Sequence, residues 1–494
     1  MARPLLLIHG YSADGTAFYP LRDALEARGV SSTDIDICSY ISLNNEITIK
    51  DIAEGLDRAF RSHPILKNED QEFDAIVHST GMLVTRAWLT NYPATAGANK
   101  RLKRLKHLIG VAPATWGSPQ AHKGRTWLGA MVKGNRQLGP DFLNAGDQVL
   151  DGLELGSRFT WELAHADLLA DRPYYDKGTD TPFVAVFIGN RGYDGIASVA
   201  NDPGTDGTVR WAGCGLNTRK ITIDLTRTPI GPDGTKVDRA TISTWADDRL
   251  DIPMIPVAGR NHATLISNPD PGMVDLVVEF LKVGDPGGKS YEEWLSRAKE
   301  YGGTALQQML VNPGSGSAGL NGEAKRFFSH LIGESPHEMM EGWQQFVVHA
   351  RDERGDGVSD YLIEILHQND DPNDSSKWIP FPDMYTDVHA YGADSSFRCF
   401  HVRLPKGICS GKLPLRVRIH ASTGTELMAY QGYGSEQKEL TATSEPVELD
   451  ISNLTNGTGS LFYPFTTTLI EIVLNREPLP FNEESRILTF LKAN

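Results

Sequence analysis

Asp74-Ala75-Ile76-Val77-His78-Ser79-Thr80-Gly81-Met82-Leu83-Val84-Thr85-Arg86-Ala87-Trp88-Leu89 changes pattern abruptly at its centre. Ala75 to Val77 is apolar and reads as a buried strand; from Gly81 onward the apolar spacing is helical. Ser79 stands on the break. A serine hydroxyl is almost wholly protonated at neutral pH, so it attacks only where a base removes its proton. A sharp strand-to-helix turn lifts such a hydroxyl clear of a sheet. It also sets the N–H of the next residue, Thr80, near a helix N-terminus where a developing oxyanion is stabilised. The turn needs small residues two before and two after the serine. Gly81 meets that need, whereas Val77 departs from the Gly-x-Ser-x-Gly pattern. A Ser-x-Gly after a strand is often a plain loop, so the flanking sequence has to decide.

Upstream, Leu5 to Ile8 reads as a strand running into His9-Gly10-Tyr11-Ser12. Ala17 to Arg28 has helical spacing ended by Gly29, Ile35 to Ser39 is a short strand, and Ile49 to Phe60 is an amphipathic helix. Downstream of the serine helix, His107 to Ala112 is a further strand. Strand and helix in alternation predict a parallel sheet covered by helices, with sites at the carboxyl ends of the strands. His9 to Ser12, Ser79 and Pro113 to Pro119 all fall at that edge. Residues from 113 to about 177 interrupt the alternation, Gly-rich first and amphipathic later. They read as a helical cap shaping an apolar acyl pocket, rather than as small helices that merely cover the sheet edge. Thr181 to Ile188 and Ile252 to Ala258 complete the sheet, and Val274 to Lys282 is the closing helix. Between those strands, Lys220 to Thr226 and Lys236 to Thr244 flank Pro232-Asp233-Gly234 as an inserted hairpin.

A base for Ser79 and a carboxylate to orient that base are the remaining requirements. His262 follows a sheet strand, lies in a loop and precedes a helix. Asp206, at the end of the loop after Thr181 to Ile188, is the chosen acid. Asp202 and Asp194 share that loop as alternatives, while Asp247 and Asp248 sit less suitably in the next crossover. His9-Gly10 lets the chain turn beneath the oxyanion with the Tyr11 N–H donating, and His78 is the variable residue of the serine turn. The chain order Ser79, Asp206, His262 suits this architecture.

Together, His9-Gly10, Val77 to Gly81, Asp206-Gly207-Thr208-Val209 and Asn261-His262 resemble the α/β-hydrolase fold, in its lipase and esterase branch, over residues 1 to about 284. The Asp-Gly-Thr-Val loop resembles the acid loop of lipases and phospholipase-like members. Ala112-Pro113 to Gly117-Ser118-Pro119 resembles the segment that enters their cap. The resemblance implies an acyl-enzyme on Ser79, His262 as general base, Asp206 as its orienting acid, and an oxyanion hole from Tyr11 and Thr80. It implies no metal and no other cofactor. Serine at position 79, in place of aspartate, disfavours epoxide- and halide-cleaving chemistry. The expected activity is hydrolysis of short- to medium-chain acyl esters. A phospholipase, thioesterase or acyltransferase would use the same mechanism, and the rival of another class is an inactive scaffold that binds lipid or polysaccharide.

Residues 285–340 read as a helical linking segment: a turn cluster at Asp285 to Ser290, a helix over Tyr291 to Leu310, a Gly/Ser-rich patch and a short helix near Ala324 to Ile332. Residues 341–494 read as an all-β, sandwich-like accessory domain, with Arg416, Arg418 and His420 alternating against Val417 and Ile419. Simple packing on the catalytic part is the expected role of that domain; docking on a substrate surface is the alternative. Asp352, Asp356, Asp360 and Asn369 to Asp374 are acidic but lack a recognised calcium spacing, so they read as solvated loops. Across 494 residues the net charge is −15, which argues against nucleic acid and anionic membranes as partners. An acyl ester, met in solution or at a lipid interface, is the expected partner, and oligomeric state is not legible. Cys38, Cys214, Cys399 and Cys409 show no Cys-x-x-Cys spacing, so neither a zinc site nor a disulfide framework is indicated, and nothing in the sequence supports a Cys399–Cys409 bridge. No apolar run approaches the length of a membrane span. The apolar core of the first ten residues is short for a signal sequence and reads as a strand. The expected compartment is the cytoplasm, with non-classical export as the alternative.

Overall fold

The computed structural model describes residues 3–11, 15–90, 98–123, 146–171, 173–175, 180–194, 201–242, 252–311, 340–368, 377–380, 385–410, 414–432, 441–442, 446–455, 461–480 and 487–492. The chain divides into two compact units. One holds residues 1–218, 247–343 and 465–467; the other holds 219–246, 344–464 and 468–494.

The first unit is built on β1 (Leu5–Ile8), β2 (Ile35–Cys38), β3 (Phe73–His78), β4 (Leu105–Val111) and β5 (Phe183–Gly189). After β6 (Thr218–Asp224) and β7 (Ala240–Ile242), β8 (Met254–Val257) joins the same sheet. The six strands lie in the order β2-β1-β3-β4-β5-β8, and every pairing is parallel. Apolar residues run along β1 and β5 and fill Ala75 to Val77 of β3 and Leu108 to Val111 of β4, as strands covered on both faces require. Leu7, Ile76, Ile109 and Phe187 are each fully buried. Chain direction across the sheet reverses between β1 and β3, so the carboxyl ends of those two strands open a crevice.

Helices α1 (Tyr19–Glu26), α2 (Ile49–Ser62), α3 (Gly81–Thr90) and α4 (Ala98–Arg104) belong to this unit. Helix α2 starts where Thr48 and Asp51 cap each other: Thr48 Oγ1 accepts the Asp51 N–H, and Asp51 accepts the Thr48 N–H. The sequence left α4 unassigned, since its stretch Asn99-Lys100-Arg101-Leu102-Lys103-Arg104 has almost no apolar periodicity. In the predicted cap, three short helices are described: α5 (Pro119–Lys123), α6 (Asp147–Leu153) and α7 (Arg158–Ala166). The Gly-rich stretch at 124–145 lies outside the described residues. Helices α8 (Thr264–Ser267), α9 (Pro271–Phe280) and α10 (Tyr291–Val311) follow β8. The short helix expected near Ala324 to Ile332 is also outside the described residues.

Helix α3 is buried along almost its whole length, and Arg86 is buried with it. Its guanidinium forks onto Asp167, with Nε to Oδ2 at 2.8 Å and Nη2 to Oδ1 at 2.9 Å, and Nη1 donates to the Thr115 carbonyl at 2.8 Å. The Tyr175 hydroxyl donates to the same carboxylate at 2.8 Å. Burial disfavours the charged guanidinium, but Asp167 opposes this and the net shift is upward. This pair ties the serine helix to the residue that closes α7. Arg86→Ala is expected to cost about 3–5 kcal/mol, because it leaves a buried carboxylate unpaired. Urea unfolding measures this, and the double variant Arg86→Met/Asp167→Leu is expected to recover most of the loss.

The second unit contains two antiparallel sheets. One has the order β11 (Trp378–Pro380), β10 (Tyr361–Gln368), β14 (Leu415–Ala421), β17 (Val447–Asp450). The other runs β12 (Tyr385–Ala390), β13 (Phe397–Pro405), β9 (Met340–Asp352), β18 (Thr466–Pro478), β15 (Met428–Gly432), β16 (Thr441–Ala442), with β6 and β7 added alongside β18. Phe346, Ile363, Ile365, Val402, Ile419 and Ile472 share one apolar core. On β14 the alternation holds: Val417 and Ile419 are buried while Arg418 reaches Glu448 at 2.7 Å. The hairpin expected over 220–244 forms, with Ile221 opposite Ile242. It joins this second unit, because Ile221, Ile223 and Leu225 present their apolar face to its core. Asp352 closes a tight turn, its Oδ1 accepting the N–H groups of Arg354 and Asp356. Asn369 to Asp374 are outside the described residues. All four cysteines are free thiols, so Cys399 and Cys409 are not bridged.

Candidate active site

Ser79 follows β3 directly and has φ of 53°, a left-handed conformation that a non-glycine residue rarely takes. Neighbouring elements hold it there. Its N–H donates to the Val111 carbonyl at 3.3 Å, and its carbonyl accepts from Ala114 at 3.0 Å. Gly81 is required for packing: a Cβ there would stand 2.6 Å from the Ile8 carbonyl oxygen and 3.0 Å from that of His9. Gly10 is required in the same way, since its Cβ would lie 2.6 Å from Ser79 Cβ. Val77, the departure from the pattern, pairs in register with Ile8 on one side and Gly110 on the other. A residue without a side chain therefore sits beside Val77 in the sheet, on β4 instead of within the serine turn.

His262 and Asp206 meet as the sequence expected. His262 Nδ1 lies 3.0 Å from Asp206 Oδ2, and the His262 N–H donates to the Asp206 carbonyl, also at 3.0 Å. Asp206 is fully buried. Its other oxygen, Oδ1, accepts the N–H groups of Thr208 at 3.0 Å and Val209 at 2.9 Å. Those bonds fix the carboxylate, and Gly207 permits the turn with φ of 98°. A carboxylate can only accept from Nδ1, so Nδ1 carries the imidazole proton and Nε2 keeps its lone pair. Of the alternative acids, Asp194 is exposed beside Arg191, and the Asp202 carbonyl accepts from Thr205 Oγ1. Asp247 and Asp248 lie outside the described residues.

His78 has a part that the sequence did not disclose. Its Nε2 stands 3.0 Å from the His262 carbonyl, which can only accept, so Nε2–H donates. The two imidazoles lie 4.7 Å apart. The residue before Ser79 thus latches the His262 loop to the serine turn. Among the described residues no hydrogen bond joins the Ser79 hydroxyl to His262; catalytic bonds of this kind often form only when substrate is bound. Burial, and then the nearby His262, push the His78 pKa down from 6.5 to about 3. A histidine depressed on folding takes up its proton more readily when unfolded. Its stabilising contribution is complete above pH 6.5 and is lost as pH falls toward about 3. The urea midpoint of His78→Gln is accordingly expected to fall less steeply than that of the parent between those pH values.

The segment expected to form the oxyanion side follows β1. The Tyr40 N–H donates to His9 Nε2 at 3.2 Å, so the His9 proton is on Nδ1, which lies 2.6 Å from the Gly10 carbonyl. Tyr40 also donates its hydroxyl to the His9 carbonyl at 2.7 Å and stacks on the ring at 4.1 Å. Carbonyl and N–H point in opposite directions across a trans peptide, so holding Gly10 O toward His9 turns the Tyr11 N–H away from that ring. Thr80, the other expected donor, is buried immediately before α3. Nothing in the sequence marked Tyr40; thirty residues separate it from the segment it holds.

Six parallel strands, a strained serine after β3, and a buried Asp–His pair on the loops after β5 and β8 define the α/β-hydrolase fold. Among solved structures, the chain is similar to the phospholipase PlaB from Legionella pneumophila: 20% identity, TM-score 0.71, covering 100% of this chain and 97% of that one. The same phospholipase in complex with thio-NAD matches at 21% identity and TM-score 0.70, over 99% of this chain and 98% of that one. At such identity the likeness establishes the fold, and it includes the additional antiparallel sheets. No family model matches the sequence, and a search of curated proteins finds no match either. No described helix is long and apolar enough to cross a membrane.

Proposed function

We propose that the chain is a serine hydrolase of carboxylic esters, with Ser79, His262 and Asp206 as its catalytic triad. The observation that carries this reading is the buried Asp206–His262 pair, latched through His78 to a serine held at positive φ. Ser79 Oγ attacks the ester carbonyl carbon while His262 Nε2 takes its proton. The carbonyl oxygen gains negative charge and is met by the N–H groups of Tyr11 and Thr80. Collapse of the tetrahedral intermediate breaks the bond to the alcohol, which leaves with the proton from His262. Water then attacks the acyl-serine by the same route in reverse, giving the free acid. No step calls on a metal or an organic cofactor.

A glycerophospholipid as the ester donor is a second reading, and one observation favours it. The phospholipase similar to this chain matches it over its full length, sheets of the second unit included. Hydrolysis of nitrophenyl esters of increasing acyl length, set beside diacyl phosphatidylcholine vesicles, separates the readings. Turnover of soluble short- and medium-chain esters without vesicle turnover supports the simple esterase. Faster release of fatty acid from vesicles supports the phospholipase, and turnover of neither contradicts both.

A further inference from the structure

A groove of about 570 Å³ runs between β2, the edge strand of the parallel sheet, and helix α2; Ser79 and His262 do not line it. That volume is typical of small-molecule sites. Its lining is mainly apolar, with Ile8, Ile37, Ile52, Leu56 and Phe60 among the residues that form it. On α2 and its C-cap the lining includes Asp51, Gly55, Ala59 and His63, four positions on one stripe of the helix. From Asp51 to His63 the stripe spans about 18 Å at the helical rise per residue. Gly55 keeps the wall low, since a Cβ built there meets nothing within 4 Å. The result is an apolar trough alongside α2 that can take an extended hydrocarbon chain.

Charge selects the head group. Asp36 stands near the His63 end of the trough and Asp51 near the other, and no lysine or arginine is among the described residues that line it. His63 does not cancel Asp36. Its Nδ1 accepts the N–H groups of Ile65 and Leu66, so its proton is on Nε2, which donates to Asp36 at 3.1 Å, and the ring is neutral. Asp51 is taken up by the cap of α2, so Asp36 sets the charge: a carboxylate or sulfate head is repelled at the Asp36 end, and an ammonium head is attracted there. The geometry points to a second ligand site, separate from the serine, that binds a single-chain aliphatic amphiphile bearing a cationic ammonium head. Tyr40, which holds His9, forms part of the wall of this trough.

Dodecyltrimethylammonium, kept below its micellar concentration, is the probe, and binding is measured by calorimetry on full-length Ser79→Ala. That background makes the result independent of whether Ser79 is a nucleophile. Saturable one-to-one binding is expected, weakened at least about tenfold by Gly55→Trp and retained by Gly55→Ala. Dodecanoate and dodecyl sulfate are expected to bind at least about tenfold more weakly than the cation. Circular dichroism and thermal melting establish that both Gly55 variants are folded; if Gly55→Trp is not, Gly55→Leu takes its place. Non-saturable uptake, equal binding by a folded trough-filling variant, or equal affinity for the anionic amphiphiles would each overturn the assignment.

Discussion

Ser79→Ala is expected to lower kcat for ester hydrolysis by roughly 10⁴- to 10⁶-fold while KM changes little. The loss is large because no other group supplies the attacking oxygen. The residual rate should still exceed that in water, since the N–H groups of Tyr11 and Thr80 would continue to polarise the ester. Stability should hardly move. The hydroxyl makes no hydrogen bond among the described residues, and the neighbours that hold the turn at φ of 53° use backbone groups of residue 79. Steady-state kinetics with a nitrophenyl ester, together with a urea melt, measures both quantities. Retained activity in this variant would place the nucleophile elsewhere.

Asp206→Asn is expected to lower kcat by about 10⁴-fold with the fold intact. The amide oxygen can still accept from the Thr208 and Val209 N–H groups, so the loop keeps its shape. The amide NH₂ then faces His262 Nδ1, which must offer a lone pair instead of a proton. The imidazole proton moves to Nε2, and the base that Ser79 needs is gone. A kcat that recovers as pH is raised, through hydroxide acting in place of the base, would agree with this loss of tautomer. An unchanged kcat at neutral pH would show that Asp206 does not orient the base.

Much of the arrangement was legible in the residues, and the exceptions have physical causes. Leu5–Ile8 and Ala75 to Val77 announce themselves because strand segments covered on both faces are apolar. Asp206 was preferred over Asp194 and Asp202 for its place at the end of the loop and for the likeness of Asp206-Gly207-Thr208-Val209 to the acid loop of lipases; the two backbone N–H groups on its Oδ1 were not legible. The 220–244 hairpin was seen as a hairpin but assigned to the catalytic part. Local periodicity reports that Ile221 and Ile223 share a face and says nothing of which sheet that face meets. β11, β12, β15 and β16 leave little trace in the sequence because they are short or polar and carry little alternation. His78 and Tyr40 were opaque for a different reason: their roles are bonds to the backbone of distant residues, which any donor or ring could have made. Arg86 did leave a trace, as a lone charge inside the apolar run Met82 to Leu89.

The most direct measurement is covalent labelling of the native protein with a serine-directed alkyl phosphonate, followed by mass mapping of the adduct. One phosphonyl group on Ser79 is the expected result, with labelling abolished in Ser79→Ala and greatly slowed in His262→Ala. An unlabelled native protein, or an adduct on any residue other than Ser79, would contradict it.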